Sequence, residues 1–340
     1  MKQVSVKKAL KAWQEIQPIT DKDKERLSRR FTIDYNYNSN HIEGNTLTYG
    51  QTEILLLFGK IVGEATIRDV QEMTASNVGL KMMTEEAKLR DMPLTQNFIR
   101  TLHQTLLREE RWGGQYKTRP NSVITRYGDR FEYASPEETP ALMTDLINWY
   151  NSEEEVGKLS PIELAALFHY RYIRIHPFED GNGRIARLMV NFILSRHGLP
   201  MIVVRSRKKQ DYLEALHQAD LNVGKVPSDG AHANINDIAP FVQYFQGIVA
   251  NEIYHDYLFV TRKDENVWWY DGEMVEFRTP NYAKLLRMMQ TQPALTQDEM
   301  KEELGISITA IRKLVGQLLE KNYVEKNPDG SWRVIICPSM

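Results

Sequence analysis

The chain reads His176-Pro177-Phe178-Glu179-Asp180-Gly181-Asn182-Gly183-Arg184-Ile185-Ala186-Arg187 between two helical patterns. No other segment restricts the fold as tightly. Upstream, residues 160–173 open with Ser160-Pro161-Ile162-Glu163, a capping box with proline at the first helical position. Downstream, residues 182–196 place Ile185, Leu188, Met189 and Phe192 at i, i+3, i+4 and i+7, one apolar helix face, which Gly198 and Pro200 end. The two glycines therefore flank Asn182 where a loop becomes a helix N-terminus. Backbone N–H groups there lack helical partners and form an anion site. Glycine lets phosphate oxygens come close to the backbone. Arg184 and Arg187 share a helix face and suit a polyphosphate. Asp180 is a hard oxygen ligand of the kind Mg²⁺ takes one or two of, and His176 accepts a proton near neutrality. Each residue alone has a plainer reading: a turn histidine, salt-bridging arginines, an aspartate capping the helix. Together at this spacing they point to a nucleotide site.

Composition keeps the remaining options few. The chain is 42% hydrophobic and 26% charged with a net charge of -2, that of a globular protein without a basic field over its whole surface. The 340 residues suffice for a main domain and a smaller one. The single cysteine, Cys337, excludes an intramolecular disulfide and fits a reducing compartment. The N-terminus lacks the apolar core of a secretory signal, and no apolar run approaches the ~18 residues of a membrane span. A cytoplasmic protein with no membrane partner is expected.

Helical patterns dominate elsewhere, at residues 67–90 and from Thr95 to Arg108, with Pro93 as a break. Ser122 to Tyr133 reads as a short hairpin turning at Tyr127-Gly128-Asp129. Val267 to Phe277 reads as a second, turning at Asp271-Gly272. From about Thr279 the order is three helices and two strands. Thr296 caps one helix, Gly305 makes a tight turn and Ser307 starts the next. Tyr323 to Lys326 and Trp332 to Ile336 flank Asn-Pro-Asp-Gly. This resembles a winged helix-turn-helix.

Residues 176–187 resemble the Fic signature, HPF-x-[D/E]-GNGR-x-x-R, at every specified position. The resemblance extends over roughly residues 30–250. It implies a mainly α fold: a Fic-type helical core with a β-hairpin flap, plus a small C-terminal winged helix-turn-helix-like domain. The expected division is 1–110, helical with a regulatory motif at 39–44; 111–255, the catalytic core; 256–278, a connector; and 279–340, the winged-helix-like domain.

The resemblance implies transfer of AMP from ATP to a Ser, Thr or Tyr hydroxyl of a target protein or of the chain itself. In that reaction His176 deprotonates the hydroxyl and Asp180 holds Mg²⁺. The backbone of Gly181, Asn182, Gly183 and Arg184 cradles the phosphates, while Arg184 and Arg187 bind the β- and γ-phosphates. A branch of the family that phosphorylates its targets has alanine and lysine in this loop; the intact glycines here favour AMP transfer.

Gly114-Gln115-Tyr116-Lys117 and the following hairpin look like the family's flap, which would align a target's backbone along Val123 and Ile124. An ordinary surface hairpin is the other reading, and Pro136 and Pro140 are not spaced as the family's paired prolines are. Tyr212 and Asp220 stand in a segment resembling the adenosine contact. A core tyrosine is an equal reading for Tyr212, and Asp220 stands where asparagine is common. Ser39-Asn40-His41-Ile42-Glu43-Gly44 resembles the family's inhibitory motif, [S/T]-x-x-x-E-[G/N]. It implies that Glu43 pairs with Arg187 and displaces the γ-phosphate. A carboxylate there can also orient water for AMP removal. The C-terminal unit leaves open docking on DNA or on protein: Arg312, Lys313 and Lys321 favour phosphate, and Glu299, Glu302 and Glu303 oppose it. Homo-oligomers, common in the family, are compatible with all of this.

Overall fold

The structure is a computed structural model and describes residues 4–124, 128 and 130–335. The chain folds into two compact units, each assembled from separated stretches of sequence. The first gathers the chain up to Pro18, Tyr35–Thr46 and Ile67–Tyr254; the second gathers Ile19–Asp34, Leu47–Thr66 and the chain from His255.

The elements run in order as α1 Val6–Glu15, α2 Asp21–Ile42, α3 Tyr49–Phe58, α4 Ile67–Glu86 and α5 Gln96–Leu106. The hairpin β1 Ser122–Ile124 and β2 Arg130–Glu132 follows, then α6 Thr139–Val156, α7 Pro161–Ile175, α8 Asn182–Arg196, α9 Lys209–Val223, α10 Pro227–Ala231 and α11 Ala239–Thr261. The chain continues through β3 Val267–Tyr270, β4 Glu273–Glu276, α12 Pro280–Thr291, α13 Gln297–Leu304, α14 Ile308–Glu320, β5 Val324–Lys326 and β6 Trp332–Val334. The three sheets are two-stranded and antiparallel.

In the first unit α7 and α8 lie against each other, with α4, α5, α6 and α10 packed around them. Ser160 caps α7 with Glu163 as its reciprocal partner, as the capping box predicts. α8 departs from the one-faced reading. Ala186, Val190, Ile193 and Leu194 are buried as well as Ile185, Leu188, Met189 and Phe192. A helix enclosed by neighbours on several sides is apolar nearly all round. This enclosure fixes the N-terminus of α8, and with it the glycine-rich loop.

In the second unit α12 packs on α3, β3, β6 and α13, and α13 packs on α14. Thr296 and Glu299 form a capping box on α13, Gly305 ends it at φ 63°, and Ser307 caps α14. Asp271 and Gly272, at φ 45° and 75°, supply the two left-handed positions of the β3–β4 turn. Residues 256–278, expected as a connector, carry the end of α11 and this hairpin, with Val267, Trp268 and Tyr270 buried. Tyr127 and Asp129 of the first hairpin turn, Ile336 and Cys337 lie outside the described residues. Among the described residues no helix is long and apolar enough to cross a membrane.

Candidate active site

The loop between α7 and α8 opens on a cavity of about 310 Å³ within the first unit. His176, Asp180, Asn182, Gly183 and Arg187 line it together with Glu43, Val123, Ile124, Tyr212 and Asp220. Sequence positions spread from 43 to 220 thus meet around one space.

His176 ends α7 in the left-handed region, at φ 50° and ψ 60°. A non-glycine residue there is strained by about 1–3 kcal/mol and persists only when its surroundings over-determine it. The Tyr133 ring stacks on the imidazole at 3.9 Å with 4° between planes. Nδ1 lies 3.3 Å from the Ile173 carbonyl, so an Nδ1–H donates there and Nε2 carries the lone pair. Burial, reinforced by the positive charge of Lys117, pushes the His176 pKa down to about 3. The ring is neutral at physiological pH, with Nε2 as its acceptor.

Side chains from several elements then fix the loop. Asn182 accepts from the Phe178 N–H at 3.0 Å and donates back to the Phe178 carbonyl at 2.8 Å. Its side-chain amide therefore braces the loop. Asn121 donates to the same carbonyl at 3.1 Å. The His103 ring stacks on Phe178 at 3.7 Å. Its Nδ1 accepts from the Gly114 N–H at 2.8 Å, so Nε2–H donates to the Asp180 carbonyl at 3.0 Å. Burial pushes His103 down to about 4, which holds it in that neutral tautomer. Gly181 precedes α8 at φ 79°, where a Cβ would meet Leu107 at 3.1 Å.

Arg184 and Arg187 are both buried at the start of α8. Arg184 reaches the exposed Asp180 carboxylate at 3.2 Å. Arg187 donates to Ser39 Oγ at 3.1 Å, to the Ser39 carbonyl at 2.9 Å and to Glu43 Oε1 at 2.6 Å. Glu43 lies one residue past α2, and Lys209 donates to the Ile42 carbonyl at 2.7 Å. The carboxylate lies so close to the loop that a Cβ on Gly183 would be 2.5 Å from Glu43 Oε1.

Burial raises the Glu43 pKa, but Arg187, with Arg184 and Lys209, outweighs it and the net value falls below the ordinary 4.5. A lowered carboxylate stabilises the fold fully above its unfolded value, and that contribution is lost as pH falls through the folded value. The difference in melting temperature between the protein and Glu43→Gln is thus expected to be largest near neutrality and to shrink below about pH 4. A difference constant from pH 7 to 3.5 would remove the carboxylate from this account.

Tyr212 lines the cavity and is buried, its hydroxyl 2.8 Å from His169 Nε2. It thus serves as a core tyrosine and as cavity wall at once. Asp220 lines the cavity too, but accepts from the Tyr170 hydroxyl at 2.8 Å and from Arg174 at 3.1 Å, so its carboxylate already serves the core. Val123 and Ile124 on β1 are exposed and line the same space. Sequence reasoning missed His103, Tyr133, Lys209 and the bracing role of Lys117. His103 falls on the inner face of α5 with no local motif, and only the fold brings it to Phe178.

An enclosed helix whose N-terminus carries this loop, a neutral histidine before it and two buried arginines behind it define a Fic fold. The chain belongs to the Fic/DOC family, whose match covers residues 93–194. It is 52% identical to a Fic domain containing signaling protein from Bacteroides thetaiotaomicron, over 76% of this chain and 97% of that one, with a TM-score of 0.74. It is 30% identical over 220 residues to protein adenylyltransferase fic-1 of Caenorhabditis elegans, covering 64% of this chain and 40% of that protein. Against protein adenylyltransferase Fic of Nematostella vectensis the identity is 33% over 211 residues, 61% of this chain and 44% of that one. The chain spans less than half the length of these two curated relatives.

Proposed function

We propose that the chain is a protein adenylyltransferase that Glu43 keeps inhibited. The observation that carries this reading is the meeting of His176, the Gly181–Gly183 loop, Arg187 and Glu43 around one cavity. A protein hydroxyl, on a target or on the chain itself, attacks the α-phosphate of ATP. The O–Pα bond forms as the bond from Pα to the β-bridging oxygen breaks, pyrophosphate leaves, and the hydroxyl proton passes to His176 Nε2. The N–H groups at the start of α8 and the two arginines neutralise the phosphates, and rate comes mostly from positioning. β1, with Val123 and Ile124, aligns the target strand.

Asp180 fits a magnesium site, being an exposed carboxylate on the cavity wall. Among the described residues no group of three or more acidic, histidine or cysteine side chains could hold a metal unaided. Magnesium bound through one carboxylate, with phosphate oxygens and water completing its shell, matches that donor set. The ion would neutralise charge on the triphosphate.

Arg187, committed to Ser39 and Glu43, is withheld from the γ-phosphate in this arrangement. The proposal is tested by incubating the protein and Glu43→Gly with Mg²⁺ and α-labelled ATP, alone and with a cell lysate. Label and an adenylyl mass increment are expected on Glu43→Gly or on a lysate protein, with far less from the unaltered chain. Label in neither counts against transfer. Loss of label from an AMP-modified protein, dependent on Glu43, would instead assign AMP removal.

The three helices and hairpin of residues 279–335 we read as a winged-helix-like docking module. Salt-dependent retention on DNA would assign that module to nucleic acid, and its absence to protein docking.

A further inference from the structure

We infer that Lys117 is a positioning residue for the transfer reaction, holding His176 in its left-handed conformation by bracketing it from both sides. The inference rests on the adenylyltransferase reading for its kinetic consequence, but not for its geometry. Lys117 Nζ donates to the carbonyl of Ile175, the residue before His176, at 3.1 Å. The Lys117 backbone N–H donates to the carbonyl of Pro177, the residue after it, at 2.9 Å. A single residue thus ties down the carbonyl of the residue before the strained base and that of the residue after it.

The arrangement is otherwise hard to account for. Lys117 is 3% exposed and is the only buried lysine among the described residues. Burying an ammonium group is unfavourable unless something requires it. Its second partner is the neutral Asn121 Oδ1 at 2.8 Å, and Asn121 in turn holds the Phe178 carbonyl. Thr118, the next residue, donates through its backbone N–H to Glu179 at 3.1 Å. The segment from Lys117 to Asn121 therefore ties down the backbone at Ile175, Pro177 and Phe178 and the Glu179 side chain.

The ammonium is also the group most open to titration here. Burial pushes its pKa down to about 8, against the pull of Glu179 and Glu138, and the neutral His176 ring is the other titratable group beside it. Loss of that charge weakens both side-chain hydrogen bonds, because charge-assisted bonds are the stronger kind.

The test uses the Glu43→Gly background with three readings: transfer rate at saturating ATP, Kd for a non-hydrolysable ATP analogue, and the pH profile. Lys117→Met is expected to lower the rate about 10- to 100-fold, since small misplacements of a reacting group cost that much. The analogue's Kd should change less than about twofold, because the phosphate contacts lie on α8. The parent rate should fall above about pH 8, and this limb should vanish in Lys117→Arg, whose guanidinium stays charged. Lys117→Arg should also retain most of the parent rate, which keeps the test alive if the methionine variant folds poorly. An unchanged rate in Lys117→Met, or rate and nucleotide binding lost together, overturns the positioning role. If the parent variant transfers no AMP, the functional reading fails, and a crystal structure of Lys117→Met decides this inference alone. His176 should leave the left-handed region and its stack on Tyr133; an unmoved loop overturns it.

Discussion

In the Glu43→Gly background, His176→Ala is expected to lower AMP transfer about 10²- to 10⁴-fold, the usual contribution of a placed general base. The Kd for ATP should be nearly unchanged, because the N–H groups and the two arginines proposed to hold the phosphates lie at the start of α8. Melting temperature should fall only modestly, since the loop keeps its ties through Asn182, His103 and Asn121. With the histidine pKa near 3, the parent rate should show no acid limb from this group between about pH 5 and 7. Single-turnover rates at saturating ATP, paired with calorimetry on a non-hydrolysable analogue, make the check. Full activity in the alanine variant would mean that another group takes the proton.

The second large effect has the opposite sign. Glu43→Gly is expected to raise transfer at least about 10²-fold, the cost that misplacement of reacting groups alone can reach. The carboxylate does two things that the glycine cannot. It engages the Arg187 guanidinium at 2.6 Å, and it occupies the space above Gly183. Glu43→Gln separates the two, because it keeps the volume and removes the charge. An intermediate rate is expected, with Ser39 still bonded to Arg187 in both variants. If the glutamine variant matches glycine, charge alone inhibits; if neither exceeds the unaltered chain, Glu43 is no inhibitor.

Features encoded by neighbouring residues were legible from the chain. The Ser160–Glu163 capping box, the Asp271–Gly272 turn and the Thr296, Gly305 and Ser307 signals each depend on a few adjacent residues, and each appears where expected. The Fic signature was legible for the same reason. The pairing of Glu43 with Arg187, 144 positions apart, was legible only through the family resemblance. What stayed hidden depends on packing between distant segments. Nothing near His103 marks it as the partner of the Asp180 carbonyl, 77 positions away. Asn182 is expected beside the phosphates from its place in the loop, and only the fold shows that its side-chain amide closes a ring on Phe178. For Asp220 the chain shows only a departure from the asparagine common there, and its bonds with Tyr170 and Arg174 emerge only in the fold.

The bare backbone at Gly183 has an evolutionary consequence. The missing side chain at residue 183 admits the Glu43 carboxylate, and on the proposed reading it must admit a phosphate oxygen as well, so nucleotide and brake would share one steric requirement. A methyl group at residue 183 would stand 2.5 Å from Glu43 Oε1 and 3.0 Å from Arg187 Nη1, so both side chains would have to shift. On that reading, a substitution in the loop that displaces Glu43 would disturb the phosphate site along with it. Constitutive variants are then expected in the short run from Ser39 to Glu43, where the contacts with Arg187 can be lost and the loop left whole.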